Sequence, residues 1–95
     1  MNSKFKTIAN AIHKQLHNNG KGLKIDGKPY PVKTGRNGCK YITYDGKTFI
    51  QQDPSRHGVL AERVKRGEHL TRIVRSGKPW GWISDTEIHD PLDGE

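Results

Sequence analysis

"CKYITYDGKTFIQQ", residues 39–52, is the stretch whose reading decides the fold. β-branched and aromatic residues dominate both arms, and the arms meet at Asp45-Gly46. An Asp-Gly pair between such runs favours a two-residue turn in which both central residues take positive φ. The stretch therefore reads as a β-hairpin, Cys39 to Tyr44 returning as Lys47 to Gln52.

Working outward, the tip recurs on either side, as "DGKPY" at 26–30 and "SGKPW" at 76–80. Each copy has a side-chain acceptor, a glycine, a lysine, one further residue and an aromatic. The first joins Leu23 and Ile25 to Tyr30 and Val32. The third, with "SGKP" as its turn, joins Leu70–Arg75 to Trp80–Ile83. Acceptor and glycine make the reversal, and the aromatic begins the return strand's packing. Of the three copies, "SGKPW" is the one expected to do more, because Arg72, Arg75, Lys78 and two Trp surround it. Pro29 and Pro31 remove ladder donors, which assigns the first return strand to an edge. "TGRNG" at 34–38 is a loop leading into the second hairpin. The copies lie 19 and then 31 residues apart, too irregular for a solenoid or propeller.

Two helices complete the pattern. Ser3 is a capping residue ahead of Phe5, Ile8, Ala9, Ile12 and Leu16, an amphipathic stripe that Asn18, Asn19 and Gly20 end. Lys4 and Lys6 oppose the dipole of its first turn. Asp53, Pro54 and Ser55 open a second helix with Val59, Leu60, Ala61 and Val64 facing inward, stopped at Gly67. From Ser84 onward, Ile88 and Leu92 keep a helical spacing that Pro91 and Gly94 cut short. The order helix, hairpin, hairpin, helix, hairpin predicts an α+β two-layer domain: a small antiparallel sheet of three hairpins, an N-terminal helix, and a helix between hairpins 2 and 3, with the helices on one face.

Ninety-five residues fill one core. Hydrophobic residues are 31 % and mean hydropathy is −0.92, so folding rests on a few aromatics and well-spaced aliphatics. A single cysteine, Cys39, excludes an internal disulfide and fits a reducing compartment. No apolar run approaches a membrane span, and Lys4-Phe5-Lys6 leads into a polar helix rather than a signal sequence. An intracellular, cytoplasmic protein without membrane association is expected.

Charge is the strongest functional signal. Residues 1–83 hold all 17 Lys and Arg against five acids, whereas residues 84–95 hold five acids and no Lys or Arg. The chain thus divides into a basic domain, 1–83, and an acidic, partly frayed tail, 84–95. A basic body points to a polyanionic partner, and the tail is expected to lie across the basic surface when that partner is absent.

Lys and Arg interleaved with rings on strands can stack single-stranded bases and hold their phosphates. Arg63, Arg66, Arg72, Arg75 and Lys78 are the phosphate candidates, with Trp80 or Trp82 as the stacking ring; strand alternation puts both Trp on one face and separates Trp80 from Ile83. Tyr41, Phe49 and at least one of the two Trp read first as core. The helix "SRHGVLAERVKRG" (55–67) can follow a phosphate backbone, although Glu62 with Arg66 is also an ordinary helix-surface pair. The loop "KTGRNGCK" (33–40) adds Arg36 and Lys40 as an anion-nest candidate, or is a plain connection; it lacks the order of a triphosphate loop. His13 and His17, one turn apart, have no third ligand nearby, so neither metal nor cofactor is expected.

A non-enzymatic domain binding DNA or RNA leads. The alternative is a protein-interaction module docking on an acidic protein surface. Third stands a metal-independent ribonuclease with His57 or His69 as general base and Arg63, Arg72 or Lys40 stabilising charge; Cys39 with a distant His is equally unspecific.

Overall fold

A computed structural model describes residues 3–17, 22–54 and 58–89. The described elements are α1 (Ser3–His17), β1 (Leu23–Ile25), β2 (Lys28–Tyr30), β3 (Lys33–Thr34), β4 (Lys40–Tyr44), β5 (Lys47–Gln51), α2 (Val59–Lys65), β6 (Leu70–Arg75), β7 (Lys78–Ser84) and β8 (Ile88–His89). All pairings are antiparallel. β3 to β8 form one sheet in chain order, and β1 with β2 forms a separate ribbon. The chain is a small α+β domain, its core a layer of α1 on the six-stranded sheet.

The repeated tips adopt one conformation. Asp26-Gly27, Asp45-Gly46 and Ser76-Gly77 have φ of 52° and 81°, 53° and 73°, and 53° and 78°. Positive φ at both central residues is the type I′ turn, whose twist matches that of the strands it joins. The third turn is tighter than "SGKP", since Lys78 and Pro79 already belong to β7. All three tips gather at the N-terminal end of α1: Lys4 meets Asp26 at 3.8 Å, Lys47 lies over the Phe5 ring, and Trp80 meets Phe5 edge-on at 5.4 Å.

The α1 stripe buries Ala9, Ile12 and Leu16 against Ile42, Phe49, Ile73 and Ile83, which lie on four neighbouring strands. Full burial of such side chains is the main stabilising term, at ~1.5–3 kcal/mol each. The β1–β2 ribbon closes one side of this core through Ile25 and a Tyr30–Tyr44 contact at 5.3 Å. With Pro29 in β2, this ribbon pairs only with itself.

Several expectations are corrected. α2 starts at Val59 behind Gly58, with no side-chain cap, and Asp53 and Pro54 are not helical. Residues 55–57, with Ser55, Arg56 and His57, lie outside the described residues, as do 18–21 and 90–95. Val59 does not face inward; it is 77 % exposed. α2 does not share the face of α1. Its Arg63 lies over Trp82, which is paired with Arg72, while the adjacent Thr71 and Ile83 face α1. Thr34 is no longer loop: β3 and β4 make a fourth hairpin around residues 35–39. Ile88 begins no helix but a strand, paired with β7 through Ile83.

The two Trp do not share a face. The β6–β7 register slips between Ile73 and Val74, so that Ile73 opposes Gly81 and Val74 opposes Pro79, leaving Trp80 as the extra residue of a bulge. Trp80 turns into the α1 core beside Phe5, on the same side as Ile83, and is 8 % exposed. Trp82 turns to the opposite face.

Candidate nucleic-acid interface

Register builds a continuous row across the sheet face away from α1. Lys33 opposes Tyr41, Tyr41 opposes Ile50, Ile50 opposes Arg72, Arg72 opposes Trp82, and Trp82 opposes His89. Because directly paired residues point to the same side, these six side chains lie side by side over six strands. Tyr41, Ile50, Arg72 and Trp82 are each half-buried. Tyr41 and Trp82 are three strands apart, or ~14 Å at the usual strand spacing. A shallow groove runs beside each ring: about 230 Å³ by Tyr41, Thr48 and Ile50, and about 310 Å³ by Leu60, Arg72, Pro79, Trp80, Trp82 and His89, with the Trp80 indole N–H itself buried.

Trp82 is the most elaborated position of the row. The Arg63 guanidinium lies 4.6 Å from its ring centre, and the His89 ring is stacked on it at 5.5 Å and 24°. Arg63 donates from Nε and Nη2 to Glu68, at 3.0 and 2.7 Å to Oε1, and from Nη2 to Glu87 at 3.3 Å. The hydrogen bond from Arg63 holds the Glu68 carboxyl below its ordinary range, and Glu68 in turn raises Arg63. Arg63 is therefore a pinned cation, fixed against a ring.

The other expected residues fall in different places. Arg75 and Lys78 are exposed partners at the Ser76-Gly77 end of the sheet, with Lys47 beside Arg75. Arg66 is exposed at the C-terminal end of α2. Arg36 is exposed on the β3–β4 loop, and Lys40 lies on β4 on the face opposite Tyr41. That loop has lost most of an anion nest: the amides of Gly35, Gly38 and Cys39 all donate within it, the last to the Asn37 Oδ1 at 3.1 Å. Arg63, Arg72 and Trp82 are thus brought together, whereas Trp80 is removed to the core. Tyr41, Ile50 and His89 complete the row and were missed as a set, since only the register joins them. One signal was present: Gly81 between the two Trp, because a glycine inside a strand often marks a bulge.

Lysine in the middle tip repeat is unlike the other two. Lys47 is 9 % exposed, lies 5.0 Å from the Trp80 ring and 5.5 Å from that of Phe5, and donates to the Asp45 carboxylate at 3.2 Å. Lys28 and Lys78 are exposed. Burial also raises the neighbouring Tyr44 phenol above its ordinary range.

Histidines form a second constellation, at the other end of the sheet. His13 is 2 % exposed; its Nδ1 is 2.8 Å from the Thr71 hydroxyl and its Nε2 2.8 Å from Asp85. His17 Nε2 donates to the Leu70 carbonyl at 3.0 Å and lies 3.1 Å from the same Thr71 oxygen. One set of protons serves these contacts: the His17 Nε2–H is shared between the Leu70 carbonyl and the Thr71 oxygen, Thr71 donates to His13, and His13 donates to Asp85. His69 Nδ1 donates to the other Asp85 oxygen at 3.0 Å. Burial, followed by the neighbouring His13, lowers the His17 pKa to about 4. The His13 hydrogen bond keeps Asp85 below its ordinary value. Among the described residues no three His, Cys, Asp or Glu are placed to hold a metal ion. His17 and His69 line a cavity of about 330 Å³ with Cys39, Asp53 and Glu68. Two carboxylates in that wall oppose a phosphodiester substrate.

No family model, curated protein or solved structure matches this chain. Among the described residues no helix is long and apolar enough to cross a membrane.

Proposed function

We propose that the protein binds single-stranded nucleic acid on the sheet face away from α1. The observation that carries this reading is the row of Tyr41, Ile50, Arg72 and Trp82, flanked by Lys33 and His89. Rings lying on a sheet meet bases only where the bases are unstacked, so single strands fit and a duplex does not. Each stacked base contributes ~1–3 kcal/mol, with Arg and Lys holding the intervening phosphates. Arg72 and Lys33 in the row, with Arg63 over Trp82, are the cations for that role, whereas Arg75 and Lys78 share the α1 side of the sheet with Lys47; the basic body supplies the long-range attraction.

Entry of α2 into a duplex groove has less support. The helix spans seven residues, Arg63 is turned onto the sheet, and Lys65 is paired with Glu62. Docking on an acidic protein has one specific point in its favour, the exposed Val59, but single exposed aliphatics are ordinary on protein surfaces.

Anisotropy titrations with labelled single strands and the matching duplex, at two salt concentrations, test the proposal. The single strand is expected to bind more tightly, with log affinity falling against log salt by about 0.7 per phosphate neutralised. Trp82→Ala is expected to weaken binding about tenfold or more while the protein stays folded. Equal binding of both nucleic acids with Trp82→Ala unchanged would overturn the reading, as would no binding at low salt.

A further inference from the structure

The acidic segment that follows β7 touches the proposed interface at two points, and each contact has the chemistry of a nucleotide. The Glu87 carboxylate lies 3.3 Å from Arg63 Nη2, where a phosphate oxygen would accept the same hydrogen bond. The His89 imidazole is stacked on Trp82, a flat heteroaromatic ring in the position of a base. On the reading that this face binds single strands, we propose that Glu87–His89 is an internal competitor: Glu87 stands in for a phosphate on Arg63 and His89 for a base on Trp82.

The local construction fits exchange. Arg63 keeps its closer, two-oxygen partner Glu68 whether or not Glu87 is present, so the cation stays in place when the competitor leaves. Glu87 is 57 % exposed on its side chain, and an exposed ion pair is worth little. β8 is two residues long and pairs with β7 at the sheet edge, the kind of element that opens at low cost. Ahead of it the chain is anchored. Ser84 Oγ accepts from the amides of Thr86 and Glu87, and Asp85 is held by His13 and His69. Release therefore involves the Glu87 side chain with Ile88 and His89, while the Glu87 backbone stays tied to Ser84 at the end of β7. Ile88 packs against the main core and sets the resistance to that release.

The experiment compares the affinity of wild type, Glu87→Gln, His89→Ala and the double variant for labelled short oligouridine and oligothymidine at low salt. Glu62→Gln serves as control, because it removes the same charge from α2 and Glu62 pairs with Lys65 instead. Glu87→Gln and His89→Ala are each expected to tighten binding about three- to tenfold, the range of one aromatic or ionic contact, with the control well below that. Thermal unfolding of each variant checks that the fold is kept. Binding by the double variant alone, with none by wild type, supports both the competitor and the binding face. Wild-type binding that is matched by the variants, or weakened by His89→Ala, overturns the competitor and leaves the binding face standing. No binding by any form overturns both.

Discussion

Three lysines follow three identical turns, yet their surroundings give them different work. Lys28 and Lys78 stand in solvent, whereas Lys47 is laid over the rings of Phe5 and Trp80 with its ammonium on Asp45. A partly desolvated cation on aromatic faces contributes ~0.5–2 kcal/mol, and its methylene stem packs as well. Lys47→Ala is expected to lower stability by about 1–2 kcal/mol in urea unfolding, while Lys28→Ala and Lys78→Ala stay within ~0.5 kcal/mol. The motif as written makes no such distinction: five residues specify the turn, and the neighbours decide what the lysine does. The same holds for the aromatic. Trp80 and Trp82 are two residues apart and strict alternation puts them together, but the bulge beside Gly81 sends one into the core and the other to the opposite face.

At the scale of elements, the histidine cluster joins the end of α1 to β6 and to the β7–β8 turn. His17 titrates near 6.5 in an unfolded chain and about 4 in place, so between those values the unfolded state takes up the proton first. Stability from this group is therefore complete above pH 6.5 and is lost progressively as the pH falls toward 4. Half exposure of His17 keeps the effect well below that of a fully buried group. Urea midpoints at pH 7.5 and 4.5 should differ more in wild type than in His17→Gln; equal differences would show that another group carries the slope. The elements themselves were legible to unequal degrees. α1 was visible in its apolar stripe, and three hairpins in their tips, because both signals are local. α2 begins at Val59, five residues after the Pro54 expected at its first position, since Asp53 and Pro54 belong to the loop beside Gln52. β3 and β8 were not visible at all. Two-residue strands have no signal of their own and exist because β4 and β7 offer an edge.

Across the whole molecule, charge and register act together. The sequence located Arg63, Arg72 and Trp82 as candidates, but the row that joins them draws on six strands, from Lys33 to His89, and only long-range pairing assembles it. Of the acidic segment, Asp85 contacts His13 and His69 and Glu87 contacts Arg63, while residues 90–95, with its other three acids, lie outside the described residues. On the proposed function, an imidazole and a carboxylate cover part of the surface that bases and phosphates would occupy. The two Trp, on opposite faces, supply an internal control for the central proposal. Titration of ¹⁵N-labelled protein with a single-stranded oligonucleotide at low salt follows both indole N–H signals at once. The account predicts that the Trp82 indole shifts, together with the amides of Tyr41, Ile50 and Arg72, while the Trp80 indole stays where it is. Shifts confined to α1 or to the hairpin tips, or no shifts at all, would contradict it.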